Sequence, residues 1–242
     1  MRLETVLRCS FIFAVLTTAA FAQSPEPSAT QREDMEQAKI LKGGADLLRL
    51  RKAQEAISNH FDPVITHYES KHSQEDRKIY CTRSMAETIG VLAKHANEKT
   101  KTGAIAVSSL WCDAYFLKAY ALIELKRLDE AKSSLEQAIS RSPFNSQYLS
   151  ELGVIYIRER NWPKAMETFQ AAEKVSDTAT DEKIKKQQLA RAKRGIGYAL
   201  IELNRLEEAE AQYRLCLEID PNDSISRNQL VHIQRLKAKS GP

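Results

Sequence analysis

A period of 34 residues, running from residue 113 towards the C-terminus, limits what this chain can fold into more than any other feature. Ala131 and Ala165 are 34 positions apart, and Ala165 and Ala209 are 44 apart, one period plus ten. Three stretches align on it. The first holds Asp113, Ala119, Leu128, Ala131, Leu135, Ala138 and Pro143. The second holds Leu149, Leu152, Gly153, Tyr156, Ala165, Phe169 and Ala172. The third holds Ile196, Gly197, Leu200, Ala209, Tyr213, Cys216 and Pro221. Each reads as two amphipathic helices joined by a short turn, because the apolar residues recur three and four apart. Small residues at 119, 153 and 197, and again at 131, 165 and 209, let paired helices approach closely. Leu135, Phe169 and Tyr213 are sized to fill the space between hairpins. Pro143 and Pro221 end the second helix, since proline cannot continue the hydrogen-bond ladder.

With only 8 Gly and 7 Pro in 242 residues, the chain lacks the turn residues that an all-β fold consumes. The expected class is all-α. A repeat of this kind cannot bury its own apolar face, so an array needs a polar-faced cap. Ile225, Val231, Ile233 and Leu236 lie among polar residues after Pro221 and read as that cap over 224–239, with Ser224 as its N-cap.

The pattern resembles the tetratricopeptide repeat (TPR). The resemblance implies an α-solenoid of helix hairpins, with repeats over 112–145, 146–179 and 190–223. Residues 180–189 (TDEKIKKQQL) are the insertion in the third spacing, and their composition suits an extension of the next helix. The sequence departs from the family pattern at Tyr115 and Lys118, at Lys193, and at Asp177, where proline is usual.

The N-terminal half, 33–103, also reads as helical but without the repeat. Ile40, Leu41, Leu47, Leu48, Leu50, Ala53 and Ile57 are spaced as in a helix, interrupted by Gly43-Gly44, where two glycines predict a break or kink. Asp62-Pro63 reads as an N-cap followed by proline at the first helical position. Ser84 and Glu87 have capping-box spacing before Ile89, Leu92 and Ala96. Lys99 to Gly103 reads as a loop, and 104–111 is either an extended approach or the first turn of the array.

Residues 1–22 have the layout of a secretory signal peptide: Arg2 and Arg8, an uncharged stretch from Cys9 to Ala22, and Ala20-Phe21-Ala22 as small residues at a cleavage site. The uncharged stretch is shorter than the roughly 20 residues that span a bilayer. The expectation is export, to a bacterial periplasm ahead of general secretion, with no stable membrane insertion after cleavage. Residues 23–32 would be a flexible leader. In an oxidising compartment Cys81 and Cys112 are a disulfide pair, whereas Cys216 stands at a small core position.

Chemistry is hard to find. His60, His67 and His72 are the one His-rich stretch, but their spacings do not place them on one helix face, and a solvated surface is expected. There is no GxSxG, Walker loop, HExxH or CxxC. No enzyme activity, cofactor or metal is expected. A net charge of +4 is too small to imply nucleic-acid binding.

What remains is a binding surface. In TPR arrays the first helix of each repeat lines a concave groove. By that resemblance the groove holds Phe116, Tyr120, Ile123 and Glu124, then Gln147, Ser150, Val154, Ile157 and Arg158, then Arg191, Arg194, Tyr198, Ile201 and Glu202. Aromatics and arginines carry binding energy, so the expected partner is another protein, offering a peptide segment with acidic groups. The alternative uses the basic face of Lys183, Lys185, Lys186, Arg191, Lys193 and Arg194 to bind an anionic glycan or lipid of the cell envelope.

Overall fold

The computed structural model describes residues 26–98, 102–178 and 181–239. The expected signal peptide, the start of the leader and most of the 99–103 loop lie outside the described residues.

The architecture follows from one turn used four times. Arg51, Lys126, Arg160 and Asn204 have φ of 58°, 60°, 55° and 58°. Each ends a helix in the left-handed conformation. The next residue then donates its N–H five positions back, from Lys52 to Leu47, Arg127 to Leu122, Asn161 to Tyr156 and Arg205 to Leu200, all at 2.9 Å. The helices leading into these turns are α1 (Ala29–Arg49), α5 (Leu110–Glu124), α7 (Ser146–Arg158) and α9 (Glu182–Glu202). Those leading out are α2 (Ala53–Ala56) running into α3 (Asp62–Lys71), then α6 (Leu128–Arg141), α8 (Trp162–Val175) and α10 (Leu206–Ile219).

Counting from the left-handed residue shows that the first hairpin is built like the other three. Seven positions back stand Gly44, Ala119, Gly153 and Gly197, and five positions forward stand Ala56, Ala131, Ala165 and Ala209, the latter four all at 0% exposure. Leu135, Phe169 and Tyr213 lie nine forward. In the first hairpin the equivalent is Phe61, ten forward, because a π turn at Ile57–Phe61 adds one residue. Val64 is displaced by the same one residue relative to Ala138, Ala172 and Cys216, and all four are fully buried. Cys216 is a small core residue there.

The break expected at Gly43-Gly44 does not occur. α1 runs through both, because the glycines are there for the opposing helix. A Cβ on Gly44 would stand 2.4 Å from the Phe61 ring, and one on Gly43 would stand 2.6 Å from the His60 ring. Asp62 is not an N-cap either. The π turn carries the helix straight into Pro63, so α2 and α3 form one bulged rod. The leader is shorter than expected. Ser28 caps α1 in a full capping box with Gln31, accepting from its N–H at 3.2 Å and donating its own N–H to the Gln31 Oε1 at 2.7 Å.

Residues 72–109, between the first and second hairpins, are not purely helical. β1 (Lys78–Thr82), α4 (Met85–Asn97) and β2 (Ala104–Ser108) form a strand–helix–strand unit. The two strands pair in parallel, from Lys78 with Ala104 to Thr82 with Ser108. One face of the pair meets α4, through Tyr80 Oη and His95 Nδ1 at 3.2 Å and Thr82 and Thr88 hydroxyls at 2.7 Å. From the other face, Cys81 is joined to Cys112 at the start of α5 by a disulfide. Two strands are marginal by themselves, and this link holds them to the hairpin stack.

Three of the four departures from the repeat pattern turn out to be contacts with the preceding hairpin, and the fourth, Asp177, pairs with Lys185 on the following helix at 3.4 Å. Lys118 pairs with Asp62 at 2.6 Å, Tyr115 Oη donates to Glu69, and Lys193 pairs with Glu173 at 2.6 Å. α11 (Ser224–Lys239) closes the stack with Ile233 buried. Its cap is Asp223, which accepts from the N–H groups of Ile225 and Ser226 at 3.0 and 3.2 Å; Ser224 is already helical. The all-α solenoid expected from the sequence is the fold observed, with the strand pair as its one addition among the described residues.

Two stability measurements test this packing. Gly90, inside α4, would meet nothing within 4 Å if given a Cβ, so Gly90→Ala should stabilise by roughly 0.5–1 kcal/mol in denaturant titration, and Gly44→Ala should destabilise by about 1–3 kcal/mol. Opening the Cys81–Cys112 disulfide, which spans a sequence separation of 31, should cost about 3–4 kcal/mol in the chain-entropy model. The readout is the midpoint shift of Cys81→Ser/Cys112→Ser.

Candidate functional site

The small residues that close the four hairpins also fix what stands beside them. One position after each lie Ala45, Tyr120, Val154 and Tyr198. Three further on lie Leu48, Ile123, Ile157 and Ile201. On a helix these two sets share a face, and in all four helices that face is left partly open to solvent. Tyr120 is 42% exposed and Tyr198 36%, and the other six are exposed or half-buried. The result is an apolar stripe crossing α1, α5, α7 and α9. Beside it runs a row of exposed charges that alternate in sign: Arg49, Glu124, Arg158 and Glu202.

The residues expected in the groove divide into three groups. Tyr120, Ile123, Val154, Ile157, Tyr198 and Ile201 form the stripe, with Glu124, Gln147, Arg158 and Glu202 exposed around it. Phe116 and Ser150 are buried beneath it and are structural. The Phe116 ring meets Tyr120 edge-on at 5.8 Å and stacks on Tyr148 at 5.1 Å. Tyr148 Oη in turn donates to Asp113 at 2.5 Å, and its hydroxyl is pushed above the ordinary tyrosine value by burial and by that carboxylate. Tyr120 is thus a rigid ring on a braced support. Tyr198 lies 6.3 Å from the Trp162 ring.

Arg191 and Arg194 make up the third group, and both are already engaged. Arg191 donates to Glu151, whose carboxyl is raised by burial against the pull of that guanidinium. Arg194 Nη1 donates to Asp223 Oδ2 at 2.8 Å. Of the three arginines expected to grip an acidic segment, only Arg158 makes no ion pair among the described residues. The basic face is similarly committed. Lys185 pairs with Glu182 and Asp177, Lys193 with Glu173, and the two arginines as above. Lys183 and Lys186 keep no acidic partner among the described residues, and border a cleft of about 590 Å³ with Glu182, Asp220 and Arg194.

The first-hairpin residues Ala45 and Leu48 were not foreseen in the site. Their signal was present, since Gly44 and Ala56 have the spacing of a repeat, but the π turn shifts Phe61 and Val64 out of step. The histidines are packed, not solvated. His60 Nδ1 meets the Ile40 carbonyl oxygen at 2.8 Å, His67 Nε2 meets Glu33 at 2.7 Å, and His72 stacks on Trp111 at 5.7 Å. No described helix is long and apolar enough to cross a membrane.

Asp223 joins the fourth hairpin to the cap and generates a pH prediction. Burial raises its carboxyl, but hydrogen bonds from Ser226 and Arg194 outweigh that and leave it below the ordinary value of 3.8. A depressed carboxyl stabilises above its unfolded value and loses that contribution as pH falls through the folded one. Asp223→Asn should therefore be less stable than wild type near neutrality, and the gap should close in acid-denaturation curves as pH falls through the depressed value of the folded state. Arg194→Ala should cost about 1–3 kcal/mol at neutral pH by stranding this carboxylate.

Residues 114–181 match one tetratricopeptide-repeat family model and residues 190–223 another. A search of curated proteins returns no match. Among solved structures, MamA residues 41 to the end from Desulfovibrio magneticus RS-1 aligns over 84% of this chain and 86% of its own length, at 13% identity and a TM-score of 0.53. The first TPR of Spaghetti (RPAP3), bound to the HSP90 peptide SRMEEVD, covers 55% of this chain and 97% of its own at 22% identity and a TM-score of 0.47. The Sgt2 TPR domain from Aspergillus fumigatus covers 54% and 82%, at 22% identity and a TM-score of 0.46. The chain carries TPR repeats and has the TPR solenoid fold.

Proposed function

We propose that this TPR solenoid is a non-catalytic protein-interaction scaffold that holds a segment of another protein along the inner stripe. The observation that carries the reading is the stripe itself. Eight apolar positions on four successive inner helices, two exposed tyrosines and six half-buried residues, stay partly open to solvent in a fold that buries their neighbours, and such a patch is the usual mark of an interaction surface. A bound segment would cover Leu48, Tyr120, Ile123, Val154, Ile157, Tyr198 and Ile201 with apolar side chains. Fully burying one aliphatic or aromatic side chain contributes roughly 1.5–3 kcal/mol, so a few contacts suffice for binding at biological concentrations.

The polar part of the partner follows from the stripe-side charges that make no ion pair among the described residues. Glu124, Arg158 and Glu202 present both signs, so the best complement is an apolar segment with mixed charge. An acidic group would meet Arg158. Arg191 and Arg194 serve the fold, which argues against a strongly acidic ligand and against an anionic polymer on the 183–194 face.

We further propose that the protein is exported, which fits the same reading. Residues 1–22 have the form of a secretory signal, and a disulfide between Cys81 and Cys112 is the kind of bond that persists outside the reducing cytosol. We place the protein in the periplasm, as a receptor for protein segments there.

Photo-crosslinking tests the site directly. A benzophenone residue at Tyr120 should give a discrete protein adduct in the source cell, and one at exposed Gln170 on outer helix α8 should not. Tyr120→Ala and Ile157→Ala should each weaken recovery of that partner about tenfold or more with unchanged folding. Equal adducts from both positions, or none from Tyr120, would remove the stripe as the binding site.

A further inference from the structure

The strand–helix–strand unit leaves one edge open, and the edge faces a cleft. The ladder starts with the Lys78 N–H on the Gly103 carbonyl at 2.9 Å. In the parallel register, Ile105 and Val107 then turn their backbone groups to β1, and Ala104, Ala106 and Ser108 turn theirs away. The backbone of Ala104 and of Ala106 makes no hydrogen bond on that outer side among the described residues. The opposite edge of the pair is treated differently: the outward Cys81 carbonyl accepts from the Ser142 hydroxyl at 2.9 Å.

Neither charge nor proline blunts the β2 edge, whose five residues are half-buried. Exposed edges are ordinarily blunted by charge, proline, a bulge or a cover, and Ala104-Ile105-Ala106-Val107-Ser108 has no charge and no proline. Alongside it lies a cleft of about 860 Å³. One side of the cleft is Ile105 to Ser108. The others are the start of α1, through Gln31 and Asp34, the end of α3, through Lys71 and His72, and the start of α4, through Met85. Met85 is 74% exposed on that rim.

We propose that this cleft binds an extended polypeptide segment of a partner protein, without acidic side chains, as a third strand beside β2. The walls select the occupant. With helices on the sides away from β2, an extended segment is the occupant that would satisfy the outward backbone groups of Ala104 and Ala106. The cations at the cleft are already paired, Lys71 with Glu33 at 2.5 Å and Arg83 with Glu87 at 3.2 Å, whereas Asp34 accepts from the neutral Tyr68 hydroxyl at 2.7 Å and keeps its charge. An acidic side chain on the segment would find no free cation and would face Asp34, so recognition rests on the backbone, with small or apolar side chains against Met85. This is strand addition, at a surface separate from the inner stripe.

The test uses the oxidised protein and phage-displayed random decapeptides. Ala106→Pro removes an outward N–H without touching the β1 ladder, and proline is tolerated at such a position. Peptides selected on the wild type should lack acidic residues at their centre, slow amide exchange at Ala106, and lose about tenfold or more in affinity for Ala106→Pro. N-methylation of alternate residues of the selected peptide should have the same effect, which keeps the result independent of how well the proline variant folds. Peptides that bind Ala106→Pro and Met85→Glu as well as wild type but fail on Tyr120→Ala would place recognition on the stripe alone and overturn the proposal. Failure to select any peptide, or a concentration-dependent dimer abolished by Ala106→Pro, would overturn it equally.

Discussion

Everything in this fold depends on how closely two helices of a hairpin can approach. A single small residue on the inner helix admits a ring or branched side chain from the outer one. At Gly153 an added Cβ would stand 2.8 Å from Phe169, and at Gly197 it would stand 2.8 Å from Tyr213. Gly195 presses on the same Phe169 from the next inner helix, at 2.4 Å, so one ring locks two hairpins together. The left-handed turn residue then fixes the register of each helix pair. Because the turn is the same in all four hairpins, the inner helices present equivalent positions to one side. The apolar stripe is a by-product of that register, since positions adjacent to the small residue cannot also face the outer helix.

The charged groups confirm which surfaces are structural. Lys118, Lys193, Arg191 and Arg194 each reach an acid on a neighbouring helix, and their partners Glu151 and Asp223 are nearly buried, with side chains 5% and 6% exposed. An ion pair with one buried member is not free to bind a ligand without stranding that member. The proposed binding surface is therefore defined as much by which charges are spoken for as by which apolar residues are open. The strand unit obeys the same logic. Its closed edge is held by Ser142 and its face by the Cys81–Cys112 link, and the edge left over is the one that meets a cleft.

Much of this was legible beforehand, and the illegible parts have identifiable causes. From residue 113 onward the spacing of Ala131, Ala165 and Ala209 is visible because helical packing repeats in register with sequence. The first hairpin was hidden because one extra residue in the π turn moves Phe61 and Val64 out of step, and because Gly43-Gly44 looks like a helix break until the opposing His60 and Phe61 are known. β1 and β2 were hidden because five-residue strands such as KIYCT and AIAVS carry too little alternation to be told from the ends of helices. In the site, the stripe residues of the later repeats could be named from their positions, whereas the commitment of Arg191 and Arg194 could not, since Glu151 and Asp223 are 40 and 29 residues away.

By itself the sequence determined the local terms: which segments are amphipathic helices, where small residues let them close, and that a period of 34 stacks them. These depend on neighbours three, four and seven residues apart. Tertiary structure alone decided what lies between distant segments: that a fourth hairpin precedes the strand unit, which charges are consumed in joining hairpins, and which strand edge stays open. Those outcomes rest on contacts between residues far apart in the chain, whose energies exist only once the backbone has brought them within reach.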